Sequence, residues 1–371
     1  MAYVAVTGGQ RAIKEAEKLL KVYRCQAGDP PIEVSQIMNQ MRLAVDRVMG
    51  EGSLYDPLLA ALALKQAEGD AIEASFLIRA FRSTLPRNLY SQPIDTSDMD
   101  IIRRVSATFK DIPGGQYLGP TRDYSRRMLQ MELLDENEEN VRSFLTEYFK
   151  HSEINEIDGE SKDEPLPSFP RVIDLLRSEG LLADKQVAEQ EDATVDDITR
   201  NAISFPASRA ARLQLMARGE TGALLALAYS SARGYGDVHP TIGELRVGYV
   251  SLEIPHPIYE GESICIGKVL ISEAEIVVRE DDEASDSVQF GIGYGLCFGH
   301  NEDKVIAMGI LDSSMKSEAG HAATPAEDEE FVLYHIDGIE SSGFISHFKL
   351  PHYVDFQAEL ARARSINRKG T

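Results

Sequence analysis

The feature that most constrains this chain is a change in the spacing of its apolar residues. Near the amino terminus they recur at helical intervals: Ile13, Ala16, Leu20 and Tyr23 share one face, and Ile37, Met41, Ala44, Val45 and Val48 form a second stripe. Later the interval falls to two, with Leu245, Val247 and Tyr249, then Val250, Leu252 and Ile254, and a further strand from about Ile264 to Val278. A stripe at helical spacing does not fit a sheet, and strict alternation does not fit a helix. The expected fold class is therefore α+β: a helix-rich N-terminal region, then a mixed or antiparallel sheet region with helices, and a C-terminal loop and helix.

Local signals divide the chain further. Tyr3–Val6 reads as a short strand turning at Gly8 and Gly9, and the second helical stripe reads as ending at Gly50 and Gly52. Asp56 and Pro57 form an N-cap and first-turn pair, Asp70 with Glu73 forms a capping box, and that helix stops before Pro86. From about Ile101 the pattern changes to strands, with Val105–Phe109 leading into a turn over Asp111–Gly115. Ser208 opens a helix carrying Arg209, Arg212 and Arg218, and an apolar helix through Tyr229 follows it. Gly291, Gly293, Gly295 and Gly299 lack the rest of a dinucleotide fingerprint, and a strand requiring close backbone approach is the better reading. Thr324, Pro325 and Glu327 read as a capping box for a helix that includes Phe331 and Val332. These signals divide the chain into a helical region 1–96, a strand and hairpin region 97–134, an acidic insertion or linker 135–168, and an α+β region 169–371.

A length of 371 residues with 43% hydrophobic side chains suits one large or two medium globular units. The longest apolar run, Ala223–Tyr229, is far short of the roughly 20 residues a membrane span needs. The start lacks a basic region followed by an apolar core, so the expected location is the cytoplasm. A formal charge of −22 disfavours nucleic acid as a partner. Cys25, Cys265 and Cys297 are too scattered for a disulfide framework or for an iron–sulfur cluster within this chain.

The densest polar segment lies near the end, where His347, Pro351, His352 and Asp355 fall within nine residues, in a chain with only eight histidines. On a helix a separation of five turns two side chains about 140° apart, so the rings converge only where the helix is broken. Pro351 supplies that break. Two imidazoles then form part of a metal site, with further ligands from Asp355, elsewhere in the fold or a partner chain. The alternative is that both rings cap the last helix, which is expected from about Val354.

The run Ile345–Leu360 resembles the C-terminal signature of the I subunit of the bacterial carbon–phosphorus lyase core complex. Lys110–Thr121, Leu43–Met49 with Ala61–Ala67, Arg233–Gly236 with His239 and Pro240, and Asp328–Leu333 resemble other blocks of the same family. The resemblance implies an enzyme of phosphonate catabolism in which methylphosphonate displaces adenine from C1′ of ATP. The product is α-D-ribose 1-methylphosphonate 5-triphosphate. It also implies nucleosidase activity in this subunit, companion core subunits including the radical cleavage subunit, and a second copy of this chain. His347 and His352 fall on the positions of an intersubunit zinc site, and magnesium would accompany ATP.

Breaking an N-glycosidic bond builds positive charge on the ribose, so a carboxylate near C1′ and an acid for the leaving base both help. Asp111 ranks first among the carboxylates because it sits in a loop inside a family block, and Asp355 is a further candidate. Asp123, Asp197, Asp328 and Glu329 are also available. Lys110, Gly114, Gly115 and Arg233 are the candidate substrate-binding residues, selected from a larger set of arginines because they lie inside the same blocks. Two alternatives stand beside this reading. One is a scaffold whose histidine loop completes a neighbour's site. The other is a free-standing metallohydrolase, for which the sequence holds no HExxH or comparable cluster.

Overall fold

The computed structural model describes residues 9–151, 170–182, 196–235, 239–281, 288–315, 322 and 324–369. The strand expected at Tyr3–Val6, Gly8, and most of the acidic stretch beyond 151 lie outside them.

The N-terminal region is helical, as its spacing requires: α1 (Gln10–Cys25), α2 (Val34–Gln40), α3 (Arg42–Gly52), α4 (Pro57–Gln66) and α5 (Ala71–Arg82). The caps fall where expected, with Asp56 accepting from Leu59 N at 2.9 Å and Asp70 from Ile72 N and Glu73 N. Three expectations need correction. The stripe from Ile37 to Val48 is two helices, because Met41 leaves helical geometry at φ −112°, ψ 37°. Gly50 lies inside the second one, which ends at Gly52 as expected, with Ser53 rather than a glycine as its left-handed cap. A Cβ on Gly52 would lie 2.5 Å from Ile78, so this glycine serves the close packing of α3 on α5. Finally, α1 buries none of its residues, so its apolar face has no partner within the described chain.

The sheet is an antiparallel meander of β1 (Asp100–Val105), β2 (Thr241–Pro255), β3 (Ser263–Asp281) and β4 (Val288–Phe298), in the order β1-β2-β3-β4. Strand structure begins near Ile101 as expected, in β1, but it ends at Val105 and does not run on through 109. Beyond it the chain turns, and Ala107 N and Thr108 Oγ1 bond to the Ile242 carbonyl at the edge of β2. Between β1 and β2 lie α6 (Glu138–His151), α7 (Val172–Ser178), α8 (Arg209–Arg218) and α9 (Thr221–Ser230). After β4 come α10 (Glu302–Ser314), α11 (Glu329–His335), α12 (Gly338–His347) and α13 (Tyr353–Lys369). The cap of α11 is Asp328, which accepts from Phe331 N, and not the expected Thr324.

One face of the sheet carries the main core, where Leu245, Ala274, Ile276 and Cys297 pack with Leu215, Leu224, Met308, Leu311 and Val332. The glycines of β4 explain how closely α10 approaches. A Cβ on Gly293 would lie 2.0 Å from Gly309 O, and one on Gly295 2.1 Å from Val305 O. The opposite face is charged. Cross-strand neighbours share a face, and the pairs Arg104 with Arg246, Arg246 with Glu273, Glu244 with Glu275, and Glu275 with Tyr294 run across all four strands.

Candidate functional site

His347 is the last residue of α12, and the chain then turns, Leu350 N donating to His347 O at 2.9 Å, before His352 opens α13 by accepting from Phe356 N. The break expected at Pro351 therefore exists, although it is shorter than a loop carrying both rings. The two imidazoles face each other with centroids 5.2 Å apart. His347 Nδ1 lies on the Phe344 carbonyl and His352 Nδ1 lies 2.6 Å from the Leu350 carbonyl. A carbonyl only accepts, so each Nδ1 carries a proton, which leaves Nε2 as the nitrogen through which a metal would be bound. The donor set fits part of a metal site. Asp355, exposed in the first turn of α13, does not extend it: the described residues hold no group of three His, Cys, Asp or Glu able to bind a metal.

Phe344, Ile345, Phe348, Tyr353, Val354 and Phe356 around the pair are each more than half exposed. An apolar rim of this kind around half-buried His347 and exposed His352 has the composition of an interface.

The turn over Asp111 is exposed and well anchored. Gly114 and Gly115 sit at φ 79° and 78°, a pair of left-handed positions suited to glycine. Beneath them Arg104 donates to the Pro113 carbonyl at 2.6 Å. Lys110 is exposed beside Asp111, and its carbonyl accepts from Gln116. Arg233 stands elsewhere, stacked over the Tyr229 ring at 5.4 Å and bonded to its hydroxyl. No described contact joins Arg233 to this turn.

Several arginines available for a triphosphate are already engaged. Arg103 is buried against Glu302 and Asp123, Arg104 against Glu244, and Arg209 holds the fully buried Asp312.

Two polar groupings escape a reading of spacing alone. The first is the charged face of the sheet. Glu273 Oε1 accepts from Thr96 Oγ1 at 2.8 Å, Tyr294 OH at 2.7 Å and Arg171 Nη2 at 2.6 Å, while Arg246 bonds its other oxygen. Burial pushes the Glu273 carboxyl up, but Arg246 and Arg171 outweigh it and hold the group below its usual range. Two residues on, burial of Glu275 prevails over the pull of Arg171 and raises its carboxyl to about 7. The second grouping lies at the start of α10. His300 N donates to Asp46, its ring lies between Arg42 and Glu302, and the ammonium of Lys304 is buried with no hydrogen-bond partner. Burial lowers the Lys304 pKa and raises that of Asp46. The available signal was the set of charged residues inside long strands that otherwise read as core.

Fold and sites together define an α+β protein that pairs most of the charges on one sheet face within the chain and carries a close pair of histidine rings beside an exposed apolar surface. The family model described as bacterial phosphonate metabolism protein (PhnI) matches residues 2–370. This chain belongs to that family. It is 48% identical over 375 residues to a putative C-P lyase subunit protein HtxH of Stutzerimonas stutzeri, covering 100% of this chain and 97% of that one. Two relatives carry the name alpha-D-ribose 1-methylphosphonate 5-triphosphate synthase subunit PhnI. The one from Rhizobium meliloti (strain 1021) is 44% identical over 99% of this chain and 95% of its own length. The one from Escherichia coli (strain K12) is 46% identical over 99% of both. No helix among the described residues is long and apolar enough to cross a membrane.

Proposed function

We propose that this chain is a subunit of a carbon–phosphorus lyase core complex and carries its nucleosidase-type step, in which methylphosphonate displaces adenine at C1′ of ATP. The observation that carries the reading is identity of 44% and 46%, over nearly the full length of both chains, to two proteins named as subunits of the synthase of that product.

The residues support a division of labour. Asp111 and Lys110 stand together, both exposed, on a turn whose Gly114 and Gly115 adopt left-handed geometry and whose Gly115 N–H donates to the Ile112 carbonyl at 2.9 Å. Asp111 is the candidate carboxylate for the charge that develops at C1′, with Asp355 the second candidate. Lys110, Gly114 and Gly115 hold triphosphate oxygens, Arg233 adds a guanidinium, and magnesium travels with the nucleotide. Inversion at C1′ requires no covalent enzyme nucleophile.

His347 and His352 supply two ligands for zinc, and the companion radical cleavage subunit supplies the rest. Zinc there would join the two chains or hold a phosphonate-bearing intermediate between them. A second copy of this chain completes the assembly, and the complex works in the cytoplasm. The half-buried His347 and exposed His352, rimmed by exposed apolar side chains, also favour a second reading, in which this chain is a scaffold and the chemistry belongs to its neighbour.

Adenine release from ATP by the purified chain separates the two readings. Release that survives His347→Ala/His352→Ala and is lost in Asp111→Asn supports chemistry in this chain. A silent wild type that becomes active only with companion subunits, and only with both histidines present, supports the scaffold.

A further inference from the structure

The charged face of the sheet is covered by residues 170–182, and the way they are attached is unusual. Leu176 and Leu182 pack on Val277, Phe290 N donates to Leu181 O at 2.8 Å, and Val172 N donates to Glu244 at 3.1 Å. Those are ordinary fastenings. Arg104 also donates to the Pro170 carbonyl at 3.1 Å, and Arg171, at the N-cap of α7, reaches down to Glu273 at 2.6 Å and Glu275 at 2.9 Å with its side chain still 23% exposed.

Two atoms in this fastening are left unsatisfied. Glu275 Oε2 and Arg171 Nε are buried and have no hydrogen-bond partner among the described residues. A dehydrated carboxylate oxygen with no donor is costly when charged and far less so when protonated. The groups facing Glu275 do not remove that cost. Arg171 and Arg246 attract the charge, but Glu273 on the same strand and Glu244 on the neighbouring one repel it. Arg104 is engaged by Glu244, and the Tyr294 hydroxyl donates to Glu273.

We propose that Glu275 is a proton-held latch: protonated, it lets residues 170–182 lie closed on the sheet, and on losing its proton it drives them to open so that its carboxylate can be hydrated. Opening lifts Arg171 off the strip and uncovers Glu273, Glu275 and Tyr294. The direction follows from linkage. The closed state holds its proton up to about 7, whereas a hydrated carboxyl releases it near its ordinary value, so raising the pH favours the open state. For those two values the opening equilibrium should rise about tenfold between pH 6 and pH 8.

Amide hydrogen exchange on the full chain tests this, with rates normalised for intrinsic chemistry and compared between Glu275→Gln and wild type. Opening at amides 174–180 should rise about tenfold from pH 6 to pH 8 in wild type and stay flat in the variant, with α10 responding equally in both. A flat wild type, or the same rise in the variant, overturns the proposal. Should Glu275→Gln not fold, carbon-detected titration of the Glu275 carboxyl in wild type decides: a midpoint near 7 supports the latch, and one in the ordinary carboxylate range overturns it.

Discussion

The charged face of the sheet and the histidine pair at the start of α13 are both dense in polar side chains, yet they solve opposite problems. On the sheet, Arg104, Arg171 and Arg246 meet Glu244, Glu273 and Glu275, so the charges balance within the chain. Around Pro351 the rings of half-buried His347 and exposed His352 stand 5.2 Å apart, and the described residues hold no group of three side chains able to bind a metal. Buried charge must be compensated before the chain can fold, whereas an exposed ligand stays hydrated until a partner arrives. The first arrangement is a property of the fold, and on the proposed function the second is completed only in an assembly.

The largest expected effect tests the balance of charge. Glu273→Ala leaves Arg246, Arg171, Thr96 and Tyr294 without their shared acceptor and should cost about 3–5 kcal/mol in urea unfolding. His347→Ala/His352→Ala should change the stability of the isolated chain by less than about 0.5 kcal/mol. Equal losses in the two variants would erase the contrast between the regions.

Next in size is the packing beneath the charged strip. Gly293→Ala places a methyl group where only backbone approach is possible, 2.0 Å from Gly309 O, and should destabilise by about 1–3 kcal/mol. Thermal unfolding measures it, and a neutral result would mean that α10 does not lie as close to β4 as described.

Glu275 gives an effect of similar size but dependent on pH. Its folded value, about 7, lies above its ordinary one of 4.5, so the penalty is absent below 4.5, grows as the pH rises, and is complete above 7. Glu275→Gln should therefore stabilise the protein by about 3 kcal/mol at pH 8 relative to its effect at pH 4. Chemical denaturation at the two values checks it, and a variant that loses stability as the pH rises has the wrong sign.

The same contrast explains what could be read from the sequence. Caps at Asp56, Asp70 and Ser208 are local, depending on a side chain and an amide two or three residues on, and all three are present. The alternation in β2 and β3 was equally readable. The break at Met41 was not, because apolar spacing continues across it, and Asp328 displaced Thr324 as a cap only one turn away. The charged strip was the hardest to see. Arg246 and Glu273 look like solvent-facing positions until the register of β2 on β3 sets them side by side, and register is non-local. His347 and His352 were readable as a pair because a single local break at Pro351 brings them together. Which chain completes their site is not encoded in that local pattern.

The most direct test of the account is zinc binding by the purified chain alone and after assembly with its companion subunits. The prediction is weak binding by the isolated chain, tight binding in the assembly, and loss of tight binding in His347→Ala/His352→Ala. Tight stoichiometric zinc in the isolated chain, retained without the two histidines, would contradict it.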